Sequence, residues 1–264
     1  MIIDFHTHIF PDKMADAAME KLASNASEKY YAPAKASALT EIMDRAGVDK
    51  SVVLNIATKE SQHENILRFA KKTDSERLIA FGSVLPFSVS ALEYVWKISD
   101  EELKGMKFHP TLQRCDADDE RIFPVYDLAR ALNLVIVFHS GWDPSYPDEM
   151  RTSPQMLIRI LKNFPGLKIV AAHLGGLHIA REVYETLAGK ADLYFDTAFT
   201  ADPWLDREMF RSMIRRHGAE RILFGSDYPW HLPQMELELI ESLGISDEEK
   251  KLILGENAAR LLGL

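Results

Sequence analysis

Short apolar runs alternate with longer amphipathic stretches along the whole 264-residue chain. The runs begin near Ile2, Ser51, Ile79, Gly105, Leu134, Lys168, Leu193 and Ile222, mostly about thirty residues apart, the size of one βαβ repeat. They read IIDF, SVVLNIA, IAFGSVLP, GMKFHP, LVIVFHSG, KIVAAHLGG, LYFDTA and ILFGSDYP. Most are continuous Val, Ile, Leu and Ala rather than apolar–polar alternations, the pattern of parallel strands covered on both faces. The stretches between them predict helices. Ser153-Pro154 reads as an N-cap followed by Pro at the first helical position, and Met156, Leu157, Ile160, Leu161 and Phe164 then share a face. Pro124 opens a second such helix, with Val125, Leu128, Ala129 and Leu132 on one side, and Ser246 with Glu249 has capping-box spacing.

Eight strands alternating with helices leave a closed barrel or an open doubly wound sheet. Strand count and length favour the barrel, and the first strand lacks a GxGxxG turn that would argue for a dinucleotide-binding sheet. The sequence therefore predicts an α/β protein, a (β/α)8 TIM barrel, as a single domain over residues 1–264 with no linker dividing it.

Composition adds limits. A formal net charge of −9 argues against nucleic acid or an anionic membrane as partner and leaves a small-molecule substrate, since a site's local field can differ from the global one. Cys115 is the only cysteine, so no intrachain disulfide forms and a reducing compartment fits. The N-terminus lacks the basic and apolar regions of a signal peptide, and no run approaches the length of a membrane span; a cytoplasmic, soluble protein is expected. A homo-oligomer is left open.

Chemistry enters through position. Histidine or aspartate ends strand 1 (His6, His8), strand 4 (His109), strand 5 (His139), strand 6 (His173) and strand 8 (Asp227). In a barrel these ends converge on one mouth, where active sites form. Asp4, His6 and His8, two apart along a strand, are expected on one face, so both imidazoles reach one ion while Asp4 orients a ligand histidine from below. Imidazoles joined by a carboxylate suit Zn²⁺ or another divalent transition metal. The glycines after His139 and His173 would let backbone and substrate approach. Phe10, Trp142, Tyr146, Tyr228, Trp230 and His231 follow rim residues and are candidate walls for a planar or apolar substrate. Asn257 and Arg260 are expected to pin the last helix.

The segments IDFHTHIF, GMKFHP, VFHSG, AAHLGG, FGSDYPW and GENAARLLGL, in this order and spacing, resemble the amidohydrolase superfamily. The closest resemblance is to its amidohydrolase-related (amidohydrolase 2) branch of metal-dependent hydrolases and decarboxylases, and it covers essentially the whole chain. It implies His6, His8, His139 and Asp227 as metal ligands, with Asp227 also a catalytic base. His173 would be a catalytic proton shuttle or electrostatic helper, or a ligand of a second metal. Lys107, His109, Trp142 and Trp230 become substrate-binding candidates; two-metal members of the superfamily often carboxylate a strand-4 lysine. One ion is the usual arrangement, two are allowed. TatD-type nucleases would be expected to carry a glutamate at the end of strand 4, which is missing here.

The first expectation is hydrolysis of an amide, lactone or other carboxylic ester by metal-activated water, with Asp227 moving the proton and His173 stabilising the oxyanion. The alternative is non-oxidative decarboxylation of a small, aromatic-type carboxylic acid by the same residues, for which Arg114 is a candidate grip on the carboxylate beside its plainer reading as an ordinary solvated arginine. A non-catalytic metal-binding barrel is the third reading.

Overall fold

All eight apolar runs become parallel strands in the computed structural model, which describes residues 1–264: β1 (Ile3–Thr7), β2 (Lys50–Leu54), β3 (Leu78–Phe81), β4 (Gly105–Phe108), β5 (Val135–Phe138), β6 (Lys168–Ala171), β7 (Tyr194–Asp196) and β8 (Ile222–Leu223). Two helices, α1 (Asp12–Ala26) and α2 (Ala36–Ala46), follow β1. Next come α3 (His63–Thr73) after β2, α4 (Ala91–Asp100) after β3, and the short α5 (Pro110–Gln113) with α6 (Phe123–Ala131) after β4. Then α7 (Pro154–Asn163), α8 (Ala180–Thr186) and α9 (Arg207–His217) follow β5, β6 and β7. The chain ends with α10 (Pro233–Ser242), α11 (Asp247–Lys251) and, after a π-helical turn, α12 (Asn257–Leu262).

Continuous ladders run β1-β2-β3 and β4-β5-β6-β7-β8. Backbone hydrogen bonds close both seams. Gly82 N–H donates to Gly105 O (2.9 Å) and Lys107 N–H to Gly82 O (3.0 Å) beside β3 and β4. Phe5 N–H donates to Phe224 O (2.7 Å) and Asp227 N–H to His6 O (2.8 Å) between β1 and the chain beyond β8. Closure leaves no open edge and gathers all eight strand ends around one mouth.

Strand residues sort into two apolar layers by alternation. Phe5, Val52, Phe81, Val137, Val170 and Leu223 fill the barrel with Ala258, Leu261 and Leu262 of α12 against them. Their neighbours Val53, Ala80, Met106, Phe138 and Phe195 face out and pack beneath helix residues such as Leu39, Val95, Leu157 and Phe210. Burial on both faces is why the runs carry so few polar positions.

The helix starts follow local chemistry. Ser153 Oγ accepts from Met156 N–H (3.3 Å) with Pro154 next, and Ser246 and Glu249 form a reciprocal capping box. Pro124 sits in the first turn of α6, which begins one residue earlier at Phe123. Asn257 donates to the carbonyls of Ala219 and Ile222, and Arg260 to that of Glu220, fastening α12 beside β8.

Candidate metal centre and active site

Strand 1 does not present its residues by simple alternation. From Asp4 to Thr7 it advances three residues while β2 advances two, from Ser51 to Val53. An extra residue of this kind re-aims the side chains around it. Phe5 stays in the barrel interior, and His6 and His8 both reach the mouth. Opposite, a Cβ at Gly225 would lie 2.9 Å from His6 Cβ, so only glycine leaves room for that imidazole.

Asp4 does not take the expected place under a ligand histidine. Its carboxylate accepts from Ser226 N–H (2.9 Å), Ser226 Oγ–H (2.6 Å) and His6 N–H (3.1 Å), tying β1 to the turn after β8. Asp196 orients the ring instead: His6 Nδ1–H donates to its Oδ2 at 2.8 Å. Asp4 lies before the irregular register and is engaged by the turn after β8, whereas β7 ends beside the His6 ring. Asp196 obeys the same strand-end rule that selects Asp227, in the run LYFDTA, and sequence reasoning passed over it.

Each imidazole at the mouth has its outer nitrogen committed. His6 Nδ1 faces Asp196, His8 Nδ1 faces Leu54 O (2.9 Å), His139 Nε2 faces Trp142 O (3.2 Å) and His173 Nδ1 faces Ala198 O (3.0 Å). Those partners only accept, so each fixes the proton on the outer nitrogen and leaves a lone pair on the inner one. Burial pushes His139 and His173 down, and burial together with the Lys107 ammonium pushes His6 down to about 4, so these rings are neutral at pH 7.

Apart from His6 Nε2, which also faces the Lys107 ammonium at 3.2 Å, the inner atoms then meet as acceptor against acceptor. His139 Nδ1 and His173 Nε2 are 3.1 Å apart, and Asp227 Oδ1 lies 3.2 Å from His8 Nε2 and 3.5 Å from His6 Nε2. Facing lone pairs repel unless a cation sits among them. Ligand atoms of one transition-metal ion lie roughly 3 Å apart, so the donor set fits a divalent ion. His6, His173 and Asp227 offer donors all within 4.8 Å of one another.

A second group of donors, His109, His139 and Asp143, meets the same distance limit. Its chemistry differs. Leu112 N–H points at His109 Nδ1 (3.4 Å), which places the His109 proton on Nε2, where it donates to Asp143 Oδ2 (3.1 Å). His109 therefore has no inward lone pair, and it lies flat against His139 (4.1 Å, 8°) as a hydrogen-bonded dyad with Asp143. Asp143, in the loop after β5, has no sequence signal that separates it from an ordinary turn aspartate.

Lys107 is buried, with Nζ 3.2 Å from His6 Nε2. Burial pushes its ammonium down to about 8 against the pull of Asp196 and Asp227. It is the one Lys or Arg side chain lining the cavity over the imidazoles. Phe10, Leu22, Ile56, Leu112, Phe199 and Trp230 give the walls an apolar part, and Glu28, Asp143 and Ser145 line the cavity as well. Leu22 comes from α1, the additional helix between β1 and α2.

Several expected wall residues lie elsewhere. Trp142 is not part of the lining and serves through its carbonyl to His139. Tyr228 is buried, its hydroxyl donating to Pro33 O, and His231 pairs with Glu236. Tyr146 closes a small turn with Asp143. Arg114 is at the C-terminus of α5, outside the cavity lining, and cannot grip a ligand at the mouth. Nor do the glycines serve substrate approach: a Cβ at Gly141 would meet Leu177 N at 2.3 Å, and one at Gly175 the Phe195 ring at 2.5 Å.

A closed parallel barrel with this imidazole–carboxylate centre at its mouth defines the class: a TIM-barrel enzyme with a site suited to a metal. The chain belongs to the amidohydrolase family, whose model matches residues 3–264. Solved structures of similar fold include 5-carboxyvanillate decarboxylase from Sphingomonas paucimobilis, with TM-score 0.74 and 17% identity, covering 100% of this chain and 99% of that one. A dihydroxybenzoic acid decarboxylase from Polaromonas sp. JS666, with bound manganese and the inhibitor 2-nitroresorcinol, has TM-score 0.73 and 16% identity over 100% and 97%. An uncharacterised TIM-barrel protein from Bordetella bronchiseptica has TM-score 0.77 and 19% identity over 99% and 98%. The protein is thus an enzyme of the amidohydrolase superfamily, and no helix in it is long and apolar enough to cross a membrane.

Proposed function

We propose that the protein is a metal-dependent, non-oxidative decarboxylase of a small carboxylic acid with an apolar, aromatic-sized body. The observation that carries this reading is Lys107, the one Lys or Arg of a cavity that sets the imidazoles against the apolar side chains of Phe10, Leu22, Ile56, Leu112, Phe199 and Trp230. Such a site suits a ligand with one anionic end and a flat apolar remainder. Hydrolysis, the first expectation from sequence, uses the imidazole cluster and does not require a buried cation to hold a carboxylate. The action of the two decarboxylases of similar fold on aromatic acids supports the same choice.

His6, His8, His139 and Asp227 would hold one divalent ion; His8 faces Asp227, and His139 faces His173, whose own donor lies within 4.8 Å of those of His6 and Asp227. Manganese, the ion in the Polaromonas enzyme, and zinc both accept such donors. Held there, such an ion would supply positive charge to orient the acid and to stabilise developing negative charge. Lys107 grips the carboxylate end, and the apolar walls exclude water from the reacting carbon. The bond from that carbon to the carboxylate breaks, its electron pair stays on carbon, and one proton must arrive there as CO₂ leaves. Asp227 and His173 are the groups placed to pass on a proton taken from solvent.

The test is manganese-loaded enzyme offered panels of aromatic carboxylic acids, lactones and amides, in D₂O and in ¹⁸O-water. The expected result is CO₂ release matched by one deuteron on the product carbon. K107M should keep its metal and lose about 100-fold in kcat/KM. Incorporation of ¹⁸O without CO₂ would replace decarboxylation by hydrolysis, and full metallation with no turnover on any panel would leave the non-catalytic barrel.

A further inference from the structure

Away from the imidazoles lies a second buried charged group that the proposed chemistry does not use. Glu236, on α10, is fully buried, yet its carboxylate accepts from three neighbours. His231 Nδ1–H donates to Oε1 at 2.7 Å, Thr200 Oγ1–H to Oε2 at 2.8 Å, and Ala201 N–H to Oε2 at 2.9 Å. Thr200 and Ala201 belong to the loop after β7, and His231 to the loop after β8. One carboxylate therefore ties two separate loops of the mouth to a single helix.

Between those loops stands Phe199, a wall of the cavity. It is held in a left-handed backbone conformation (φ 62°), which an L side chain adopts only when its surroundings impose it. Its ring stacks on His231 at 4.2 Å and 23°, and its carbonyl accepts from Trp204 Nε1–H at 2.7 Å. Tyr31 closes the far side of His231, edge-on at 6.1 Å. The residue that follows Phe199 donates directly to Glu236. Both the backbone and the ring of this wall are thus referred to one buried oxygen pair.

We infer that Glu236, through His231 and Thr200, is the positioning residue that sets the Phe199 wall and thereby the width of the substrate cavity. A buried carboxylate is costly unless its partners are fixed, so its presence here imposes one arrangement on two loops that would otherwise shift independently. Substrate selection by breadth would then depend on a residue that never touches substrate. The inference rests on the proposed cavity and not on the reaction: benzoate binding with no CO₂ release from any acid of the panel would retire decarboxylation and leave this assignment standing.

Benzoate binding to the manganese-loaded protein, measured by calorimetry with metal content checked alongside, tests it. E236A should keep its manganese and bind benzoate about tenfold more weakly, the scale expected when a contact wall is misplaced. F199A should lose a similar amount, and E236A/F199A should be no weaker than F199A alone, because both changes act through one wall. E236Q, which keeps an acceptor oxygen in place, should recover most of the affinity. Should E236A not fold, Thr200→Val removes one donor and takes its place in the cycle. Losses that multiply in the double variant, wild-type affinity in E236A, a Gln variant as weak as the Ala variant, or no benzoate binding by the wild type would each overturn the assignment.

Discussion

His6 shows how much one side chain depends on its partners. Its outer nitrogen is fixed by Asp196, whose own charge is opposed by burial but secured by His6, His173 and Lys107, which draw its carboxyl down to about 2. Replacing Asp196 by Asn leaves a side chain that can turn its amide NH₂ toward the ring and favour the other tautomer. D196N is expected to bind manganese about 10- to 100-fold more weakly, read by metal titration with folding checked by circular dichroism. An unchanged affinity would remove Asp196 from the centre. The same scale holds the strain of the site: His173 (φ 58°) and Asp227 (φ 68°) both occupy left-handed backbone, which turns their side chains into the mouth. Asp227 is kept there by its N–H donating to His6 O. Histidine and aspartate at strand ends were visible in the sequence, but their dihedrals were not, because a left-handed residue other than glycine leaves no compositional mark.

At the scale of elements, the irregularity in β1 and the missing side chain at Gly225 act together. The extra residue in β1 turns His6 inward, and β8 continues past it without a Cβ to obstruct. Gly225→Ala should push β1 from the chain after β8 and loosen the hydrogen bonds on either side of it, Phe5 N–H to Phe224 O and Asp227 N–H to His6 O. We expect reduced manganese occupancy in G225A, by elemental analysis, and a lower thermal midpoint; full occupancy would show that His6 moves freely. The strands themselves were legible because continuous apolar runs of four to eight residues, regularly spaced, suit strands buried on both faces and are too short for buried helices. The shared face of Asp4, His6 and His8 was not, since strict alternation assumes an even ladder and an added residue changes every direction after it.

For the molecule as a whole, the barrel gathers residues whose sequence separations exceed two hundred positions, such as Asp4 and Ser226. Its outer layer holds a histidine unrelated to the mouth. His217 stacks on Phe195 at 3.9 Å, its Nε2 faces Leu193 O and its Nδ1 accepts from Gly189 N–H. Protonation would set a second N–H against that of Gly189. Burial pushes this ring down to about 4 from an ordinary value of 6.5. A depressed folded-state value means the stabilising contribution is complete above pH 6.5 and is lost as pH falls toward 4. The urea midpoint of metal-free wild type should therefore drop more steeply over that interval than that of H217Q, the difference amounting to roughly 2 kcal/mol. Parallel slopes would show that His217 titrates as it does in the unfolded chain.

The order of strands and helices, the closed barrel and the ring of histidines and aspartates at its mouth follow from the sequence, because burial on both strand faces and strand-end placement are periodic properties of a chain. Which nitrogen of each imidazole points inward, that Asp196 rather than Asp4 supports His6, that Lys107 is the one Lys or Arg lining the cavity, and that Trp142 and Arg114 lie outside its lining were decided only in three dimensions. Those facts depend on partners far apart in sequence and on turns whose direction no local pattern encodes.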